Sequence, residues 1–177
     1  EVASQPEDSY LWLEEVEGEK AISWVKERNA ESLPVFENDS RFPGLLAAAE
    51  KNLNATDRIP YGRLKGNVVT NFWRDATNVR GLWRKTTLDS YRSKTPKWET
   101  ILDFDEYAKK EGKNWVYKGM SCLAPKHIHC MIRLSDGGKD AATYKEFNRE
   151  SKTFVPNGFM IPEAKSGVTW LDKDTLL

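Results

Sequence analysis

Beyond Asn54 the chain breaks into short apolar runs separated by turn-forming residues, and this texture limits the available folds more than any other feature. Val68, Val69, Phe72 and Trp73 make one run, and Leu82, Trp83, Thr86 and Thr87 make the next. Asp75, Thr77 and Asn78 lie between them, residues that hydrogen-bond their own backbone and favour turns. The stretch 71–87, NFWRDATNVRGLWRKTT, is therefore expected to be a hairpin. Strands are predicted near 68–74, 80–88 and 98–103, with one or two helical turns over Asp103–Lys110 before Gly112.

A second set follows the first. Trp115 to Leu123 reads as a strand and Ala124-Pro125-Lys126 as its turn. In the next strand Ile128, Cys130, Ile132 and Leu134 should face a core, alternating with His127, His129, Met131 and Arg133. Ser135-Asp136-Gly137-Gly138 is a turn by composition, with strands expected over 141–148, 154–155 and 159–161. Ser166 to Leu171 opens a third set. Trp115-Val116 and Val168–Trp170 thus begin comparable units about 50 residues apart, near the ~40–50-residue period of a propeller blade. Strands at this spacing also suit a sandwich.

The part before Asn54 is helical in texture. Asp8 or Ser9 can cap a short helix that Gly18 breaks. Ala21, Ile22, Trp24 and Val25 then recur at helical spacing, and the helix is expected to fade near Ser32-Leu33-Pro34, because the residue before proline resists the α conformation. A second helix is predicted from Ser40 to Asn52, capped by Asp39 or Ser40, with Leu45, Leu46, Ala49 and Leu53 on its apolar face.

Twenty-seven basic and 27 acidic residues cancel. The balance gives no support to a nucleic-acid or anionic-membrane partner, and no apolar run approaches the ~20 residues of a membrane span. The polar opening EVASQPEDSY carries no leader signature, which leaves either a cytoplasmic protein or a periplasmic one whose signal peptide has been removed. The ending DKDTLL has no polar tail and suggests a chain cut inside an element.

No residue pattern supplies a catalytic site. A nucleophile elbow is missing, since Ser121 in GMSCL lacks the second glycine and lies mid-strand. His127 and His129, two apart on a strand, would point the same way, but no third metal ligand is suggested and Arg133 is a poor neighbour for a cation. Ser135-Asp136-Gly137-Gly138-Lys139-Asp140 lacks calcium-loop spacing. Lys109-Lys110-Glu111-Gly112-Lys113 reads as a solvated loop. No cofactor is called for. Cys122 and Cys130 flank the Ala124-Pro125 turn and would oppose one another in a hairpin, with Cα atoms ~4.5–5.5 Å apart. They form either a disulfide in an oxidising compartment or two reduced, buried thiols, the reduced pair being slightly favoured.

Taken in order, NFWRD, RGLWRKTT and WETILD resemble the prolyl oligopeptidase family of serine peptidases. The opening DSYLWLEEVEGEKAISWVKERN resembles that family's N-terminal signature, with Ser9 where proline is common, and LSDGGKDAATYKEF resembles its strand turn. The resemblance runs from about Asp8 to Leu177. It implies a mainly β fold with an N-terminal helical segment, 1–56, followed by part of a seven-bladed propeller. Blade one would span about 57–110, blade two about 111–165, and 166–177 would start the third. It further implies that the Ser-Asp-His triad belongs to a C-terminal α/β-hydrolase domain, the partner of this segment, and that short proline-containing peptides are the substrates. No family catalytic residue has a counterpart among the 177. Lys165 to Gly167 would lie toward the central tunnel. The fragment is expected to be inactive and to self-associate. A β-rich binding module with no enzymatic parent is the alternative.

Overall fold

The computed structural model describes residues 8–177, in two units that part between Ala55 and Thr56. The polar opening through Glu7 lies outside the described residues.

In the first unit the Asp8 carboxylate accepts the Tyr10 N–H at 2.8 Å, ahead of a single 3-10 turn, Leu11–Glu14. Gly18, in extended conformation, starts helix α1 (Glu19–Glu37). Trp12 and Trp24 meet edge to face at 6.3 Å, with the Lys20 ammonium 4.2 Å from the Trp12 ring centre. α1 does not fade before Pro34 but runs through it for another turn. The missing N–H orphans one carbonyl, which lies on an exposed face open to solvent, and the Pro34 carbonyl accepts from Asn38 N–H at 3.1 Å. Helix α2 (Phe42–Leu53) begins later than expected and without a side-chain cap. Asp39 is occupied by the Arg41 backbone and guanidinium, and Pro43 in the first turn dispenses with a donor that needs no partner there.

In the second unit four strands, β1 (Arg63–Lys65), β2 (Val68–Trp73), β3 (Leu82–Thr87) and β4 (Glu99–Asp103), form an antiparallel sheet in chain order. The short β1 was not foreseen. The β2–β3 connection is organised by Asp75, whose carboxylate accepts the N–H of Asn78 at 2.7 Å and of Thr77 at 2.9 Å and the Trp73 indole at 2.7 Å. These bonds, that from Asn78 foremost, hold its pKa down to about 2. A single turn, α3 (Leu88–Tyr91), leads out of β3. Helix α4 (Phe104–Glu111) follows β4. The Asp103 carboxylate caps it by accepting from Asp105 and Glu106, and Gly112 ends it at φ 62°, where a side chain would be strained. Asp105, in its first turn, accepts the backbone N–H groups of Arg80 and Gly81 and so fastens α4 to the start of β3.

The second sheet is again an antiparallel meander: β5 (Trp115–Cys122), β6 (His129–Asp136), β7 (Ala142–Asn148) and a fourth strand in two pieces, β8 (Thr153–Phe154) and β9 (Met160–Ala164), both on β7. A small hairpin, β10 (Trp170–Asp172) and β11 (Thr175–Leu176), closes the described chain.

The core lies between the two large sheets. Trp83, Ile101 and Leu102 from the first meet Cys130, Ile132, Leu134 and Phe147 from the second, with Phe104 and Ala108 of α4 and Trp115 filling the remainder. Cys130, Ile132 and Leu134 are inward as the alternation predicts. Met131 was expected on an open face, yet it is fully buried too. That second face is covered by the segment after β9: the Trp170 indole donates to the Ser121 carbonyl at 3.0 Å, and the Tyr144 hydroxyl donates to that of Ser166 at 2.7 Å. Cys122 and Cys130 are directly paired across β5 and β6, with Cα atoms 4.0 Å apart, and their sulfurs are joined as a disulfide.

Candidate functional site

Of the two tryptophans in the 71–87 hairpin, Trp83 is a core residue and Trp73 packs on the opposite face. There the Arg84 guanidinium is clamped between Trp73 and Trp98, 4.4 Å from each ring centre, and donates to the Asn71 side chain at 2.8 Å. Both faces of the guanidinium are thus covered by aromatic rings and its Nε–H is bonded to Asn71, as expected of a packed strand face.

One cleft of the second unit, of about 500 Å³, lies where β1 and β2 face β5. Its floor is Trp83 and Tyr117, and its walls carry Arg63, Lys65, His127 and Arg149 with no carboxylate among them. Burial raises the Tyr117 hydroxyl to about 12, the Arg63 charge opposing that shift. Lys65 Nζ is 3.2 Å from His127 Nε2, and His127 Nδ1 is 3.4 Å from the Cys122 carbonyl. Both contacts fit the tautomer with its proton on Nδ1, which leaves Nε2 to accept from the ammonium. Arg149 is anchored through its backbone N–H to the Ile128 carbonyl at 2.8 Å, while its guanidinium sits 5.9 Å from the Trp83 ring centre. Burial pushes that guanidinium below its ordinary value, with no carboxylate supporting its charge.

The two histidines do not act together. His127 has φ 54° and lies in the turn before β6, so strand alternation does not govern it. It lines the first cleft. His129, the first residue of β6, turns to a second cavity of about 410 Å³, where its Nδ1 is 2.7 Å from Glu146 Oε1. The other oxygen of Glu146 accepts the Phe159 N–H at 2.9 Å, across the break between β8 and β9. Among the described residues no three metal-ligating side chains converge. Ser121 offers its carbonyl to Trp170, Ser135 donates to the Lys139 carbonyl within its turn, and neither hydroxyl meets an imidazole.

The lysine-rich stretch is less idle than a solvated loop. Glu111 pairs with Lys145 at 2.8 Å, and Lys145 also donates to the Tyr107 hydroxyl at 2.9 Å, tying α4 to β7. Lys113 pairs with Asp136 at 3.1 Å. Burial opposes the charge on Lys145, but its bonds to Glu111 and Tyr107 outweigh that and raise its pKa, while the bond from Lys145 lowers that of Glu111. Arg63, Lys65 and Arg149 were not foreseen as neighbours. They come from β1 and the end of β7, and no spacing along the chain signals such a meeting.

Successive antiparallel meanders stacked face to face, following a helical lead in the chain, fit both propeller blades and a sandwich, and the comparisons with known proteins decide between them. Residues 3–177 match the family model for the prolyl oligopeptidase N-terminal β-propeller domain, and the chain belongs to that family. It is 45% identical over 170 residues to an uncharacterized peptidase, y4nA, of Sinorhizobium fredii, covering 96% of this chain and 23% of that one. It is 34% identical over 174 residues to an uncharacterized peptidase, RP174, of Rickettsia prowazekii, covering 94% and 24%. The solved structure of a post-proline cleaving enzyme from Rickettsia typhi superposes with a TM-score of 0.76 at 35% identity, over 93% of this chain and 25% of that one. The chain therefore spans about a quarter of the length of these relatives.

Proposed function

We propose that these residues are the N-terminal part of a prolyl-oligopeptidase-type serine peptidase that hydrolyses short proline-containing peptides. The observation that carries this reading is the two consecutive meander sheets in a chain 35% identical, over 93% of its length, to a post-proline cleaving enzyme. Residues 1–56 are then the helical lead, about 57–110 and 111–165 the first two of seven blades, and 166–177 the opening of a third. The chemistry is nucleophilic acyl transfer with an oxyanion hole. Its triad comes from an α/β-hydrolase domain outside these residues, and this segment contributes scaffold, size exclusion and gating. It needs no cofactor.

Cut from its neighbours, the segment exposes blade faces and sheet edges that pair readily with another copy. The protein containing this chain is expected to hydrolyse a proline-containing chromogenic peptide and to lose that activity to a serine-reactive inhibitor. The 177-residue chain alone is expected to show no turnover and to self-associate in light scattering. Inhibitor-sensitive turnover by the isolated chain, or a reading frame that stops at Leu177, would overturn the proposal.

A further inference from the structure

The cleft between the first two sheets is not explained by packing. A guanidinium is costly to bury without an anionic partner, yet the half-buried Arg149 has no ion-pair partner and no side-chain hydrogen bond among the described residues. Arg63 and Lys65 open onto the same cleft and make no ion pair among the described residues either, although 27 acidic residues exist to neutralise them. His127 turns its accepting nitrogen to Lys65, which keeps the ammonium positioned at the wall without cancelling its charge. Some other cations of the unit are matched: Lys85 and Lys152 share Glu99 at 3.4 and 2.8 Å, and Lys145 has Glu111. Others, Arg80, Arg84 and Lys118 among them, also make no ion pair among the described residues; what sets the cleft apart is that Arg63, Lys65 and Arg149 converge on it with no carboxylate in its lining, beside the rings of Trp83 and Tyr117.

We propose that this cleft is a binding site for an acidic peptide segment, with Arg149 and Arg63 taking a carboxylate and Trp83 and Tyr117 the adjoining apolar side chain. Guanidinium suits a carboxylate because its planar donor fork bonds both oxygens. An aromatic floor adds contact for the apolar neighbour that a free inorganic anion lacks. The choice of a peptide as ligand rests on the reading of the chain as part of a peptidase. Occupancy of the cleft would select or retain peptides by charge.

The test uses the natural protein that contains this chain, titrated calorimetrically with acetyl-Glu-Phe-Glu-amide, with its Gln counterpart, and with inorganic phosphate. The acidic peptide is expected to bind, more weakly as salt is raised, and the Gln peptide at least about tenfold more weakly. Arg149→Gln is expected to cost about tenfold or more for the acidic peptide alone. If Arg149→Gln does not fold, the exposed Lys65→Gln replaces it, with a smaller loss in the same direction. Equal binding of the two peptides, full affinity in a folded Arg149→Gln protein, or binding of phosphate without the peptide would each overturn the site. Hydrolysis of the proline-containing chromogenic peptide on the same preparations separates the two readings. An active enzyme indifferent to the acidic peptide refutes only the cleft, and an inactive protein that binds it refutes only the peptidase.

Discussion

Truncation of Phe147 to alanine tests whether the face-to-face contact of the two large sheets is the main source of stability in the second unit. Phe147 lies on the central strand β7, is fully buried, and packs its ring 5.9 Å from Trp83 of the opposite sheet and 5.1 Å from Phe154 of its own. Cys130 is its neighbour across the ladder and is held by the disulfide. The backbone on that side has little freedom to collapse into the vacated space. The expected loss is therefore in the upper part of the ~3–5 kcal/mol range for such truncations, against a total of ~5–15 kcal/mol for a domain. Phe147→Leu keeps most of the volume and should cost about 1–1.5 kcal/mol. Met160→Ala, at a side chain 63% exposed, should stay within about 0.5 kcal/mol. Urea unfolding followed by tryptophan fluorescence, at one protein concentration because association shifts midpoints, gives all three values. A Phe147→Ala loss under about 1 kcal/mol, or one no larger than that of Met160→Ala, would refute the placement of the core between the sheets.

Other outcomes follow from single side chains. Thiol titration of the unfolded, unreduced chain should find no free thiol, and replacing both cysteines with serine should cost about 2–3 kcal/mol for so short a closed loop; two titratable thiols would return the pair to the reduced reading. Asp105→Ala orphans the Arg80 and Gly81 amides and should cost about 1–3 kcal/mol, with faster hydrogen exchange at those two amides and unchanged exchange in β6. Because Lys145 holds the Glu111 carboxyl below its ordinary value, the pair stabilises the fold above the unfolded carboxyl pKa of ~4.3 and loses that contribution as pH falls through the lower folded value. Glu111→Gln should cost only about 0.5–1 kcal/mol at pH 7, since the pair is partly solvated and screened, and little at pH 3; an equal cost at both pH values would contradict the pairing.

Much of the local structure was legible because it is encoded locally. Turn chemistry at Asp75–Asn78, the Gly112 stop and the alternation of Cys130, Ile132 and Leu134 act over a few residues, and the elements appear where those signals lie. Helix ends were less legible. Pro34 is accommodated on an exposed face, and Asp39 spends its carboxylate on Arg41, so neither behaves as an isolated signal would.

What the sequence by itself determined is the order of elements, their hydrophobic faces, the opposition of Cys122 and Cys130, and, through the sequence motifs, the family. What only the tertiary structure decided is which side chains share a space. Trp73 and Trp83 are indistinguishable as letters in one hairpin, but strand pairing sends one to sandwich Arg84 and the other into the core. Met131 is buried because a segment about 40 residues further on covers its face, a long-range contact that periodicity cannot express. The physical reason is the same for the cationic cleft. Arg63, Lys65, His127 and Arg149 meet because two sheets stack, and no force acting along the chain brings them together.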